Sequence, residues 1–281
     1  MEAPAPGVGG KTGASMEGLM RIRFGALALA LLVGLVAGRP AFAADRLAEV
    51  KQKGKLVVGF EGTYPPYNFK DRDGAFKGYD VDVANAIAKK LGVKAEFVAT
   101  EWAGIIAGLL SDRYDVIVAQ MTVNEERKKQ VDFSEPYTIY GPMLIVHKDN
   151  TTIKSYKDLD GKTLGVTLGT NFEKRANGWR QEGIEVEVRT YPGMNEYLSD
   201  LAAKRIDAAM TDAVAPAIAI REKKLPLKQV GGPIEREVQA IAVKKGNPEL
   251  LAAINKALEE MKADGSLRAM SLKWFGIDVT K

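Results

Sequence analysis

The stretch Ala119 to Arg127, AQMTVNEER, places an arginine where it could hold an anion. Ahead of it, Asp115-Val116-Ile117-Val118 is a short β-branched run that predicts a buried strand ending at Ala119. Asn124 followed by Glu125 and Glu126 predicts a helix with Asn124 as N-cap and Arg127 in its first turn. Gln120, Met121, Thr122 and Val123 are then the connecting loop. In open α/β sheets ligands bind at the carboxyl ends of strands, where loop amides and a helix N-terminus face bound anions. The planar fork of an arginine suits a carboxylate, because it can hold both oxygens at once. The same residues would also make an exposed, charged helix start with no ligand.

Comparing the chain with itself supplies an opposing charge. Gly54 to Thr63 aligns with Gly161 to Thr170 at an offset of 107, and LLSDRYDVI from Leu109 aligns with LAAKRIDAA from Leu201 at an offset of 92. The hairpin from Pro65 to Gly78 has no counterpart after Thr170 and accounts for most of the difference of 15. Two lobes of one plan are therefore expected, with Gln120 corresponding to Asp212 and Tyr64 to Asn171, all at strand ends. Lobes packed with those ends facing would enclose a cleft with Arg127 on one wall and Asp212 on the other. A zwitterion needs such a pair, a cation for its carboxylate and an anion for its ammonium. Asp212 also has the residue type and the place of a helix N-cap.

The elements that position these residues follow in βα alternation. Lys55 to Phe60 predicts the first strand, Pro65-Pro66 stiffens the loop after it, and Asp71-Arg72-Asp73-Gly74 marks a hairpin turn. Asp80 is expected to cap a helix with Ala84, Ile87, Ala88 and Leu91 on its apolar face and Gly92 as its stop. A strand at Ala95 to Val98 and a helix at Trp102 to Leu110 follow. Together these imply an α/β fold with a mainly parallel sheet and helices on its faces. After Asp212 a helix to about Glu222 is expected, then a loop through Pro226 and Gly231-Gly232-Pro233, an apolar strand at Val238 to Val243, and two C-terminal helices split at Ala263-Asp264-Gly265. The strand-like segments Gly141 to Val146 and Val238 to Val243 flank the second lobe and are expected to form a two-strand hinge.

The N-terminus and the composition bound the setting. A basic start at Met20-Arg21-Ile22-Arg23, an apolar run from Phe24 to Val36 and the small-residue site Ala41-Phe42-Ala43 predict a secretory signal peptide cut after Ala43. Residues 1–43 are thus leader and signal, and their removal lowers the formal charge from +4 to +2, too little to argue for nucleic acid. There is no cysteine and a single histidine, His147, so disulfides, a lipid-anchored cysteine, metal centres and thiol chemistry lack support. The mature chain is expected to be soluble outside the inner membrane.

The motifs EGTYPPYNF from Glu61, GYDV from Gly78, RKKQVDFSEPY from Arg127, LGTNFE from Leu168, RIDA from Arg205 and KADGSL from Lys262 resemble the polar-amino-acid solute-binding proteins of bacterial ABC importers, family 3. With Trp102 and the terminal WFGIDVTK, the resemblance is greatest to the cystine-binding members. It implies a two-lobed type II periplasmic-binding-protein fold, with residues 44–140 plus 236–281 as lobe 1 and residues 141–235 as lobe 2. It also implies that Arg127 grips the ligand's α-carboxylate, assisted by amides at Thr122 and Asn171. Asp212 would take the α-ammonium with the Thr122 hydroxyl and the Ala119 carbonyl, and Tyr64 would lie over the ligand's stem. Glu61, Gln120 and Thr170 complete the implied site. Trp102, Phe172 and Tyr64 would form an aromatic wall suited to a sulfur-containing side chain, although Trp102 and Phe172 are equally suited to core packing. Ala119, Gln120 and Phe172 depart from some relatives and leave the side-chain half of the pocket open.

The resemblance further implies a monomer that captures an amino acid, L-cystine first, by hinge closure, without cofactor or metal, and delivers it to a membrane permease. Two alternatives remain. Arogenate or cyclohexadienyl dehydratases share the architecture, and Glu61 and Glu173 could do acid-base work in such an enzyme. A free ligand-sensing protein is the other.

Overall fold

The computed structural model describes residues 46–281, so the leader and the cut after Ala43 lie outside the described residues. Among the described residues no helix is long and apolar enough to cross a membrane. Helix α1 (Arg46–Lys53) leads into β1 (Lys55–Phe60), and the loop after it carries the small antiparallel sheet β2 (Thr63–Tyr64), β3 (Asn68–Lys70) and β4 (Phe76–Lys77). Then come α2 (Tyr79–Lys90), β5 (Lys94–Ala99), a 3-10 turn (Trp102–Gly104), α3 (Ile105–Leu110), β6 (Val116–Ile117), α4 (Glu125–Gln130) and β7 (Val131–Tyr140). The chain crosses at Gly141 into β8 (Pro142–His147), β9 (Thr163–Thr167), α5 (Asn171–Gly178), β10 (Glu187–Tyr191), α6 (Met194–Ala202), β11 (Ala208–Asp212), α7 (Ala215–Glu222) and β12 (Leu227–Val230). It returns through β13 (Glu237–Lys244), α8 (Pro248–Ala263) and α9 (Ser266–Phe275).

Two five-stranded sheets result, ordered β5-β1-β6-β13-β7 and β10-β9-β11-β8-β12. In each, two parallel pairings are followed by two antiparallel ones, so four strands point one way and the fourth in line runs against them. The two-lobed α/β plan and its internal repeat are thus present in the sheet topology. Alternation of side chains across the second sheet splits its apolar residues: Leu144, Val146, Leu164 and Val166 pack in a core of that lobe, while Ile145 and Ala209 face the larger one.

The register of the repeat corrects the sequence alignment by one residue. Val116 pairs with Val58 and Ala208 with Leu164, an offset of 106 in the central strands, which places Gly59 opposite Gly165 and not Val166. Space explains it: a Cβ at Gly59 would lie 2.6 Å from the Tyr114 ring, and one at Gly165 would lie 2.6 Å from Ile206 Cδ1. Tyr114 and Ile206 are themselves equivalent at the offset of 92.

Three further expectations are corrected. Asp80 does not cap α2; Gly78 occupies the N-cap, and Asp80 turns inward, fully buried. Leu227–Val230 is an additional edge strand paired with β8 within the region expected to be loop. The expected hinge segments are strands, but each belongs to one sheet, and the crossings are the short pieces at Gly141 and between Val230 and Glu237. These crossings press together, since a Cβ on Gly141 would stand 1.5 Å from the Glu235 carbonyl oxygen.

Candidate functional site

Asn124 caps α4 as expected, its side chain accepting the Arg127 N–H at 2.8 Å. The loop before it is pinned to β13 by Ala240 N–H to Met121 O at 3.1 Å and Val123 N–H to Val238 O at 3.0 Å. So held, Arg127 folds back instead of extending into solvent, and only 7% of it is exposed. Its Nη1 donates to Thr122 O at 2.9 Å, Nη2 lies 3.5 Å from Gly169 O, and the guanidinium carbon stands 5.3 Å from the Trp102 ring. Among the described residues no carboxylate lies within ion-pair distance of it. Burial lowers its pKa to about 10, against the pull of Glu237 and Glu126, so at neutral pH it is a buried cation with no direct ion-pair partner among the described residues.

Arg127 opens onto a small cavity enclosed between the two lobes. The cavity lies at the carboxyl ends of β1, β6, β9 and β11. Of the residues singled out in the sequence, Glu61, Tyr64, Trp102, Ala119, Gln120, Thr122, Arg127, Thr170, Asn171 and Phe172 line it. Asp212 does not; its fully buried carboxylate sits behind the Tyr64 hydroxyl, which donates to it. Tyr140, Thr167, Met194 and Thr211 line the cavity and were not anticipated. Met194 was accessible through the repeat, because it is the counterpart of Trp102 at the offset of 92 and, like it, opens a helical segment.

The loop with Glu61 and Tyr64 is set by a buried chain of hydrogen bonds. Asn68 Oδ1 accepts the Gly62 N–H at 2.9 Å, and its Nδ2 donates to Asp80 at 2.7 Å. Asp80 also accepts from Gln120 Nε2 at 2.5 Å and the Tyr137 hydroxyl at 2.9 Å, so one carboxylate ties both lobe 1 loops together. Burial raises Asp80 to about 7 despite these donors. Gln120, held at φ +53°, leaves its Oε1 buried without a partner. Glu61 has no hydrogen-bond or ion-pair partner among the described residues; burial first, then Asp80, Glu101 and Glu196, pushes it up to about 8.

On the facing wall Thr170 caps α5, accepting the Glu173 N–H at 3.3 Å, while Glu173 accepts the Gly169 N–H at 2.6 Å. Glu173 is thereby committed to the loop and lies outside the cavity lining. His147 Nδ1 accepts the Asp149 N–H at 3.3 Å, away from the cavity. The Thr122 hydroxyl donates to Glu237 at 3.0 Å. Several contacts bridge the lobes: Trp102 Nε1 to Gly169 O at 3.2 Å, Asn124 Nδ2 to Asn171 Oδ1 at 2.5 Å, and the Tyr64 and Tyr67 hydroxyls to Asp212.

Two lobes of repeated plan, closed over a cavity lined by a buried cation with no direct ion-pair partner among the described residues, are the architecture of a solute-binding protein. The chain belongs to the bacterial extracellular solute-binding proteins, family 3, which it matches over residues 56–277. It is 44% identical to the L-cystine-binding protein TcyJ of Escherichia coli (strain K12) over 260 residues, 92% of this chain and 96% of that protein. Identity to the L-cystine-binding protein TcyA of Bacillus subtilis (strain 168) is 37% over 243 residues, 84% and 87% of the two chains. Among solved structures, an ancestral arginine-binding protein bound to arginine superposes with a TM-score of 0.76 at 46% identity, covering 79% of this chain and 99% of that one.

Proposed function

We propose that the protein is the amino-acid-capturing component of an ABC importer, acting outside the inner membrane, with L-cystine as its ligand. The observation that carries this reading is Arg127: a guanidinium buried without a carboxylate, lining an interlobe cavity, is completed by a ligand carboxylate. Asp212 is the anion for the ligand's ammonium, reached beside Tyr64 and Thr211. Trp102, Phe172, Tyr64 and Met194 give the rest of the cavity an aromatic and thioether wall, favourable to a disulfide. The cystine-binding relatives support the same choice. Lobe 1 comprises residues 44–140 and 236–281 and lobe 2 residues 141–235; they rock about the crossings at Gly141 and Val230 to Glu237. The closed protein is a monomer that presents the ligand to a permease, and no chemistry is done on it.

Glu61 favours a second ligand class. An unpartnered carboxylate in the cavity wall could accept the distal cation of L-arginine, the ligand of the superposed ancestral protein. A thermal-shift screen of the ligand-stripped protein against the common amino acids and cystine separates the two, since a ligand that binds only the folded form raises its melting temperature by mass action. L-Cystine should give the largest shift. A larger one with L-arginine would transfer the assignment to Glu61 and a basic ligand, and no shift with any amino acid would refute the function.

A further inference from the structure

Tyr67 lies between β2 and β3, fully buried and outside the cavity lining. Its ring packs against Tyr64, Phe275 and Tyr140 at centroid distances of 5.2, 5.1 and 6.0 Å. Its hydroxyl crosses to the second lobe and donates to Asp212 Oδ1 at 2.9 Å. The same oxygen accepts the N–H groups of Val214 at 2.7 Å and Ala215 at 2.8 Å, so three donors saturate it. Oδ2 differs: it takes the Tyr64 hydroxyl and stands 3.5 Å from Thr211 Oγ1, and both of those residues line the cavity. The carboxylate is divided, one oxygen fixed to the fold and the other held beside the ligand space.

We propose that Tyr67 is a positioning residue for ligand capture: its hydroxyl, arriving from lobe 1 as the lobes close, completes the shell of Asp212 Oδ1 and presents Oδ2 to the ligand's ammonium. This rests on the reading of Asp212 as the ammonium partner. It also makes recognition conditional on closure, because Tyr67 and Asp212 sit on different lobes and meet only in the closed form.

The titratable groups facing Asp212 are tyrosines, namely Tyr64 and Tyr67 from the hairpin, Tyr140 from β7 and Tyr197 from α6. All four are pushed up by burial and stay neutral at the pH values of interest. Glu61 and Arg127 line the same cavity, and Asp80 and Glu237 act on Tyr140. Asp212 itself is raised by burial, and the hydrogen bonds from Tyr64, Ala215, Val214 and Tyr67 oppose that rise. Removing one donor therefore raises it further, and the pH below which Asp212 is protonated moves up.

Tyr67→Phe keeps the packed ring and deletes the hydroxyl. Calorimetric titration of the mature protein with L-cystine, and separately with L-arginine, should show binding about ten- to a hundredfold weaker at pH 7, the usual effect of losing a hydrogen bond to a charged group. The acid limb of the affinity profile should shift to higher pH, which loss of packing alone would not produce. Tyr140 also loses its hydrogen bond with Tyr67, but it and the other facing tyrosines stay neutral throughout, so the shift of the acid limb reports Asp212. Unchanged affinity with an unchanged acid limb would overturn the role of Tyr67 and leave the proposed function standing, as would a loss of equal size at every pH. Wild-type protein that binds no amino acid at all would overturn both.

Discussion

Arg127→Met should weaken amino-acid capture severely while leaving the empty protein about as stable as the wild type, or more so. In the empty protein the substitution removes one good hydrogen bond from a charged group, to Thr122 O at 2.9 Å, worth about 1.5–3 kcal/mol. It also removes a contact with the Trp102 ring at 5.3 Å, worth about 0.5–2 kcal/mol. Against these stands the desolvation of an uncompensated guanidinium, several kcal/mol per buried ion, which methionine relieves while filling much of the same volume. The opposing contributions are similar, so the melting temperature of the empty protein should stay within a few degrees or rise. With ligand bound, the carboxylate loses its partner in a closed cavity at a cost of about 2–5 kcal/mol, roughly thirty- to several-thousand-fold in affinity. Calorimetry against L-cystine and differential scanning of the empty protein read the two quantities separately. Lys128→Ala is the control, because that side chain is 51% exposed and, among the described residues, pairs only with Glu125 across one helical turn. A variant that melts much lower but binds as before would show that Arg127 serves the fold, and the clamp would lose its cation.

The remaining predictions concern protonation, the crossing and processing. Glu61 and Asp80 are raised to about 8 and about 7 from ordinary values of 4.5 and 3.8. Their contribution to stability is therefore complete below the ordinary values and is lost as pH rises through the raised ones, so the empty protein should melt progressively lower from about pH 5 to pH 8. Glu61→Gln should flatten that slope, and an unchanged slope would mean that Glu61 ionises normally in the cleft. Gly141→Ala must force the crossings apart against the Glu235 carbonyl and should destabilise by about 1–3 kcal/mol, as overpacking does; a melting temperature equal to wild type would show that the crossing yields freely. Mass spectrometry of the exported protein should find Ala44 at the N-terminus, and a mature chain that keeps Phe24 to Val36 would refute the cleavage.

What could be read in the sequence and what could not divide along the range of the interactions involved. Asn124 reaches only three residues to cap α4, and Thr170 likewise to cap α5, so the strand–loop–helix turns that build the site were encoded where they stand. The facing of the lobes followed from repetition of those units. Asp80 was misread because a residue two positions into a helix has the type of a cap, while its partners come from Asn68, Gln120 and Tyr137, as far as 57 residues away. The strand offset of the repeat failed by one because the bulk that selects a glycine lies on a neighbouring element, Tyr114 in one lobe and Ile206 in the other; with a side-chain period of two, a slip of one exchanges the faces. Edge strand β12, LKQV, has two apolar ends around a polar pair and no periodic signal to separate it from loop. Asp212 shows the limit most clearly: its type and spacing fit both a cap and the wall of a cleft, whereas Val214 is the N-cap of α7 and the Asp212 carboxylate lies behind the cavity lining with its two oxygens in different surroundings. Oδ1 holds the start of α7 through Val214 and Ala215 while Oδ2 meets Tyr64 beside the cavity. Residue type and spacing could pose those roles as rivals, but the hydroxyl of Tyr67 that donates to Oδ1 comes from 145 residues away, beyond their reach.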